Sequence, residues 1–342
     1  MLLSNKQTNK MKPLKIVLLC ATRRGYLFLQ QLYKISPDSE FTVMSFKEEP
    51  HEPLFLDDIK RFTKSINGKF IQARKLNSKK LVPFWKSKPV DLMLVVSWRY
   101  LITPEIFNLP RLGTFVFHDS LLPRYRGFSP TVWAILNDEK QTGVTLFKIT
   151  NKVDAGKIID QKTIPIESND AITNIIEDIT KAYLILLKRN FKKLINGKII
   201  YHSQNRNKAT FTCKRLPQDN LIDWSKSSNS IYNLIRAVTH PYPGAYCYLN
   251  GEKIIIWSAK KISRFPQFVG RIPGRVIDIK PNKGVVVLTG DSGLLLTRVE
   301  LEGKQEVAAD RVLNSLNFTL FYKPGLSCQK CRHSLHQKFA VK

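Results

Sequence analysis

Acidic residues are scarce in this chain: 27 Asp and Glu face 55 Lys and Arg, leaving a net charge of +28 over 342 residues. That excess can attract phosphate-bearing partners, although a lysine-rich surface can equally be a solvated face. The basic residues are scattered, with local density at Lys188-Arg189, Lys192-Lys193, Lys214-Arg215, Lys260-Lys261 and 323–342. Cysteine is also sparse. Cys20, Cys213, Cys247, Cys328 and Cys331 are odd in number and dispersed, which excludes a disulfide framework. Cys328, Cys331, His333 and His336 offer zinc-type ligands, but they sit closer together than finger spacings, so a mobile basic tail is expected and metal binding there stays open. No apolar run approaches the roughly 20 residues of a membrane helix. Lys6, Lys10 and Lys12 precede Lys15 without a long apolar stretch, so no signal peptide is expected and the cytoplasm is the expected location. Glycine is too thinly spaced in Cys20-Ala21-Thr22-Arg23-Arg24-Gly25 for a dinucleotide fingerprint, which argues against NAD.

What is present is a globular pattern. Hydrophobic residues make up 43% of the chain, and its length allows two domains with sizeable cores. Apolar runs at 15–21, 41–46, 91–97, 113–117 and 144–149 read as strands, with a turn over 22–25. Helices are expected over 26–34 and 56–66, and a short one from Thr103-Pro104-Glu105, where proline suits the first turn. This alternation is that of a parallel sheet covered by helices. Ligands in such sheets lie beyond the carboxyl ends of the strands, where Trp98 and His118 fall. A long helix over 172–194 ends near Asn196-Gly197, and the polar stretch 201–208 reads as a linker. Beyond it, a helix over 230–238 is followed by strands at 245–249, 253–259, 275–279, 285–288 and 294–299. Asn250-Gly251 between two of them is a hairpin signal, and short strands joined this way imply a small β-barrel or sandwich.

The most informative segment is His118-Asp119-Ser120-Leu121-Leu122-Pro123-Arg124-Tyr125-Arg126-Gly127, followed by Val153-Asp154-Ala155-Gly156. A histidine after an apolar strand and a later acid can meet as a base and its orienter, an arrangement suited to proton transfer. Asp119 alternates to the other side of the strand from His118 and is expected to cap the turn.

These residues resemble the 10-formyltetrahydrofolate-dependent formyltransferase family, whose signature is Asn-x-His, then Ser-Leu-Leu-Pro with Arg-Gly, then Asp-x-Gly. The matching residues are Val116-Phe117-His118, Ser120-Leu121-Leu122-Pro123 with Arg126-Gly127, and Asp154-Ala155-Gly156. Ile222-Asp223-Trp224, 231–238 and Pro241-Tyr242-Pro243-Gly244-Ala245 extend the resemblance to two-domain members related to methionyl-tRNA formyltransferase, closest to those acting on nucleotide-linked amino sugars. The implied fold is α/β: a Rossmann-like parallel-sheet catalytic domain (13–200), a linker (201–209) and a β-rich, OB-like barrel domain (210–322), flanked by a flexible tail (1–12) and a basic tail (323–342).

The resemblance implies roles for particular residues. His118 moves the proton and Asp154 holds its ring, imidazole being the side chain that titrates near neutrality. The formyl donor, 10-formyltetrahydrofolate, is implied against Trp98, Arg99, Tyr100, Leu101, Ser120, Leu121 and Pro123. Arg23, Arg24, Arg126, Arg236 and Tyr242 are implied for the acceptor, with a solvated-surface reading of Arg23 and Arg24 equally open. The family's Asn is replaced by Val116, whose side chain neither donates nor accepts a hydrogen bond. Either Ser97, Arg99 or a backbone amide takes its place, or turnover is slow or absent.

Three functions stay open: formyl transfer to a small amine, with a nucleotide-linked amino sugar foremost; transfer to methionyl-tRNA; and a non-catalytic folate or nucleotide binder. The acidic segment Lys47-Glu48-Glu49-Pro50-His51-Glu52-Pro53, where tRNA-acting members carry a basic insertion, weighs against the second. A homodimer stays open, and no resident metal is expected.

Overall fold

A computed structural model describes residues 12–321 apart from positions 51, 80 and 88. The expected tails, including Cys328, Cys331, His333 and His336, lie outside the described residues apart from Lys12, as does His51. The chain packs as two compact units that interleave in sequence. One comprises the chain up to Gly127 with Gly143–Ile164 and Asp178–Phe211; the other comprises Phe128–Thr142, Pro165–Glu177 and the chain from Thr212 onward. The sequence reading instead placed one boundary at 201–209.

The first unit is organised by a seven-stranded sheet in the order β3-β2-β1-β4-β5-β7-β8. Its leading strands are β1 (Lys15–Cys20), β2 (Glu40–Ser45), β3 (Lys69–Gln72), β4 (Leu92–Val96) and β5 (Gly113–His118), and these run parallel. β4 reads Leu-Met-Leu-Val-Val and is buried throughout, as a strand covered on both faces must be. Between these strands run α1 (Thr22–Ile35), α2 (Leu56–Ser65), α3 (Val82–Ser87) and α4 (Pro104–Phe107). One face of the sheet contributes Val17, Leu19, Met44, Met93 and Val95 to a cluster with Phe84, Trp85 and Ile106, against which Trp98 and Val116 also pack. On the other face, Phe117 meets Phe28 of α1 edge-on at 4.9 Å and stacks on Tyr183 at 5.4 Å.

Two expectations are corrected here. Helix α1 begins at Thr22, so the stretch read as a turn is already helical. A Cβ on Gly25 would stand 2.9 Å from that of Cys20, so glycine permits this tight exit from β1. The strand expected at 144–149 is β7 (Gln141–Lys148), and it runs antiparallel to β5 rather than continuing the parallel series. Its apolar residues are buried in either direction, so hydropathy carried no information about polarity. Before it come β6 (Arg126–Gly127) and α5 (Pro130–Leu136), and after it β8 (Ile158–Pro165) and α6 (Ile172–Ile195). α5, β3, α3 and β8 were not anticipated. β8 is only part-buried and lacks a clean alternation.

After β9 (Phe211–Thr212), the second unit carries α7 (Ser228–Val238), whose N-cap Ser227 accepts from the Ser230 amide. Its sheet contains β10 (Ala245–Leu249), β11 (Glu252–Lys261), β12 (Val276–Lys280), β13 (Gly284–Leu288) and β14 (Gly293–Leu301), in the order β10-β11-β14-β13-β12. β15 (Val307–Ala308) pairs with β14 and leads into α8 (Ala309–Val312). The hairpin signal is realised, with Asn250 and Gly251 at φ 51° and 92° between the paired Leu249 and Glu252. The edges β10 and β12 are then joined by the segment 318–321. Tyr248 and Phe321 exchange backbone bonds at 2.8 Å each, the Val276 amide donates to the Phe318 carbonyl at 3.0 Å, and the Leu320 amide donates to the Gly274 carbonyl at 2.8 Å. This closes the sheet into a barrel and leaves neither edge unpaired. Among the described residues no helix is long and apolar enough to cross a membrane.

Phe321→Pro removes one closing donor and is expected to destabilise the protein by about 1–3 kcal/mol, read as a lowered midpoint in urea unfolding. An unchanged midpoint would show that the closure contributes nothing.

Candidate active site

His118 is the last residue of β5, with its side chain about one-tenth exposed. Its Nε2 lies 2.9 Å from the Tyr125 carbonyl oxygen. A carbonyl only accepts, so Nε2 carries a hydrogen and Nδ1 is the nitrogen turned toward Asp154, whose Oδ2 is 3.7 Å away. The ring is therefore held by a main-chain carbonyl, and Asp154 stands beside it as a charge rather than as a hydrogen-bond partner. This corrects the expectation that Asp154 holds the ring. The carboxylate is itself fixed, since Oδ2 accepts from the Gly127 amide at 2.8 Å. Asp154 sits at φ 47°, a left-handed conformation that Asp tolerates, and a Cβ on Gly156 would be 1.6 Å from the Lys148 carbonyl oxygen. That close approach explains the glycine two residues after the acid.

The loop from Ser120 to Gly127 is built as a rigid frame. The Ser120 hydroxyl donates to the Arg124 carbonyl at 2.7 Å, so it staples the loop internally. Thr145 of β7 donates to the Ser120 carbonyl at 2.6 Å and accepts from the Leu122 amide at 3.0 Å. Gln161 of β8 donates to Thr145 Oγ1 at 2.8 Å and to the Leu122 carbonyl at 2.9 Å. Leu121 is half-buried, and the Leu122–Pro123 peptide is cis. Tyr125 takes a left-handed φ of 58°, and its amide donates to Thr210 Oγ1 at 2.8 Å, while the Arg126 amide donates to the Thr210 carbonyl at 2.9 Å.

Gln204 completes the frame. It donates to the carbonyls of Asp154 and Gly156 at 2.9 and 2.7 Å, and its oxygen accepts from Arg126 Nη2 at 2.6 Å. The stretch 201–209 is thus bound to the first unit rather than acting as a free linker, with His202 and Ile158 also bridged. Burial lowers the proton affinity of the Arg126 guanidinium, Asp154 nearby raises it, and Arg206 lowers it again. Arginine remains cationic throughout the neutral range. Sequence reasoning missed Gln204, Thr210, Thr145 and Gln161, because nothing in a polar residue's local context announces what it will bind.

The candidate donor-binding loop follows β4. Ser97 sits at φ 53°, and its Oγ, like Trp98 Nε1, is buried without a hydrogen-bond partner. Phe46, Trp98 and Tyr100 form an edge-to-face group at 5.0–5.8 Å. Arg99 grips both carboxylate oxygens of Glu52 and lies 5.7 Å over the Phe46 ring. Leu101 is 83% exposed. The acidic segment is partly consumed: Glu52 by Arg99, and Glu48, whose Oε1 accepts from the Phe55 amide.

The arginines expected at the acceptor divide. Arg23 is exposed on α1. Arg24 grips Asp119 through both carboxylate oxygens at 2.9 and 2.7 Å and lies 4.9 Å over Tyr183, whose hydroxyl also bonds Asp119. Asp119 therefore anchors α1 and α6 instead of capping its turn, and Arg24 is committed to it. Burial, reinforced by the Asp119 charge, raises the Tyr183 phenol well above its ordinary value. In the second unit Arg236 is 6% exposed, bonded to Asn233 Oδ1 at 2.9 Å and the Asp170 carbonyl at 2.8 Å, with Asp138 at 3.7 Å. It acts there as an internal strut. Tyr242 is half-buried in the turn after α7. No cluster of three or more potential metal ligands occurs among the described residues.

A histidine beside a fixed carboxylate at the end of a central parallel strand of a Rossmann-like sheet, framed by a Ser-Leu-Leu-Pro loop, is an arrangement suited to proton transfer. The chain belongs to the formyl transferase family: residues 15–189 match the formyl transferase domain and 215–317 the formyl transferase C-terminal domain. The bifunctional polymyxin resistance protein ArnA of Wigglesworthia glossinidia brevipalpis is 33% identical over 270 residues, which are 78% of this chain and 40% of that protein. The chain therefore matches less than half of that relative's length. Among solved structures, an N-formyltransferase from Helicobacter canadensis, in complex with folinic acid and dTDP-3-aminofucose, shares the fold at a TM-score of 0.63 and 20% identity, covering 86% of this chain and all of that one. WlaRD, a sugar 3N-formyl transferase solved in the presence of dTDP and 5-N-formyl-THF, gives 0.61 at 21% identity, covering 85% and 99%.

Gln204→Ala removes an acceptor from a buried guanidinium and two donors from the Asp154 turn. It is expected to cost about 2–3 kcal/mol, measured by chemical denaturation; a cost under about 0.5 kcal/mol would show the frame to be redundant.

Proposed function

We propose that the chain transfers a formyl group from 10-formyltetrahydrofolate to the amine of a nucleotide-linked amino sugar. The observation that carries this reading is the fixed His118 ring, with Nε2 tied to the Tyr125 carbonyl and Nδ1 facing the carboxylate of Asp154. The acceptor class is supported by the sugar N-formyltransferases that share the fold. The loop after β4 fits the donor: the buried Trp98 N–H lacks a partner, and the edges of Phe46 and Tyr100 stand against the indole, as a flat heteroaromatic ring with polar edges requires. That cosubstrate supplies an activated formyl group and a nitrogen able to take up a proton.

This chain's residues supply the rest. With a hydrogen fixed on Nε2, the free lone pair of a neutral His118 is on Nδ1, which is the nitrogen able to take a proton from the attacking amine. The imidazolium formed faces Asp154 across 3.7 Å and is stabilised there by its charge. Collapse returns the proton to the leaving nitrogen. The frame of Gln204, Thr210 and Thr145 holds the ring and carboxylate at fixed separation, so little reorganisation accompanies the charge change.

The test is release of tetrahydrofolate from 10-formyltetrahydrofolate with UDP- and dTDP-linked amino sugars, and with methionyl-tRNA as a separate arm. His118→Ala is expected to lower kcat by about 10²–10⁴-fold. Turnover on methionyl-tRNA alone, lost steeply with added salt, would reassign the acceptor. Donor binding without turnover on any acceptor would make the chain a folate binder.

A further inference from the structure

Formyl transfer places negative charge on the formyl oxygen, and that charge needs a hydrogen-bond donor close to His118. Two residues before His118 on β5, and on the same face by strand alternation, stands Val116, which packs against the apolar cluster and can donate nothing. Arg99, the nearest cation of the neighbouring loop in sequence, is gripped by Glu52. We propose that the hydroxyl of Ser97 is the oxyanion donor of this site. The assignment rests on the formyl-transfer reading above.

Two separate observations lead to Ser97. The first is position. β4 and β5 are parallel neighbours with Val95 opposite Val116 and Val96 opposite Phe117. Ser97 follows Val96 directly, so the chain leaves β4 at the level where β5 ends in His118. The second is chemistry left unfinished. Ser97 Oγ is buried and has no hydrogen-bond partner, although a hydroxyl can both donate and accept. The backbone meanwhile turns left-handed there, at φ 53°, a conformation rare for serine. A strained residue holding an unpartnered donor at a strand end, next to the general base, is arranged for a ligand atom that arrives with charge.

The step balances as follows. The amine nitrogen attacks the formyl carbon and a C–N bond forms; the carbonyl π pair moves to oxygen, which accepts the Ser97 O–H. One amine proton passes to His118. The oxygen pair then re-forms the carbonyl, the bond from the formyl carbon to the donor nitrogen breaks, and His118 returns its proton to that nitrogen. Ser97 keeps its own proton throughout, so it acts as a donor and not as an acid.

The experiment compares the full-length wild type, Ser97→Ala and Ser97→Ala/Val116→Asn for kcat and KM with 10-formyltetrahydrofolate and the nucleotide amino sugars, alongside 5-formyltetrahydrofolate binding by fluorescence titration. Ser97→Ala is expected to lower kcat by about 10²–10³-fold, with binding of the folate unchanged. Val116→Asn, which puts a donor on the adjacent strand, is expected to restore at least about tenfold of that loss, a recovery that a folding defect would not show. Wild-type turnover that survives Ser97→Ala, a loss that tracks weakened folate binding, or a loss the Asn does not restore would each overturn the assignment and leave the function standing. No transfer by the wild type to any acceptor overturns both.

Discussion

The hydrogen bond from His118 Nε2 to the Tyr125 carbonyl is the contact on which the site depends. It decides which nitrogen carries hydrogen, hence which nitrogen has the lone pair that the proposed proton transfer needs, and it does so with a main-chain atom that cannot change protonation state. A carbonyl is as well placed as the loop that bears it, and this loop is over-determined. Thr145 and Gln161 hold its start, Thr210 its middle and Asp154 its end at the Gly127 amide. Each bond satisfies a polar group that would otherwise be stranded in a largely buried turn, so the frame is self-consistent and not merely stabilising. The left-handed Tyr125 persists within it for the same reason.

The charge balance of the chain is less informative than its magnitude suggests. A net +28 invites a phosphate partner for every arginine near a strand end. Yet Arg24 is matched to Asp119, Arg99 to Glu52, and Arg236 to Asn233 and main-chain carbonyls. The scarce acids are spent where they neutralise or orient arginines at these positions. A net excess of one sign raises encounter rates with oppositely charged ligands without specifying any one of them.

Much of the fold was legible because its signals are local. The apolar runs of β1, β4 and β5 could only be buried strands, and Asn250-Gly251 could only be a tight reversal. The pairing of His118 with Asp154 was legible only through the resemblance to the formyltransferase signature, since the two lie far apart in sequence. What escaped was nonlocal. The antiparallel direction of β7 is decided by the route of its connection, not by its composition. Gln204 and Thr210 look like linker residues until the loop they clamp is in place. Asp119 is instructive in both directions: alternation correctly sent it to the face opposite His118, but the sequence held no hint that Arg24 and Tyr183 wait there.

That alternation explains how two carboxylates near one strand end can do different work. Phe117 and Asp119 look toward Phe28, Arg24 and Tyr183, where the acid meets a full cation and a phenol and is saturated. His118 and Val116 look the other way, where Asp154 accepts from the neutral Gly127 amide and stands 3.7 Å from the imidazole. Exchanging the partners would disable both: a saturated acid cannot stabilise a new cation, and an unsaturated one cannot anchor a helix. The pleat of β5 therefore separates structure from chemistry at the level of single residues. It also directs the search for the oxyanion donor we propose to the His118 face and to the loop that follows the neighbouring strand, which begins at Ser97.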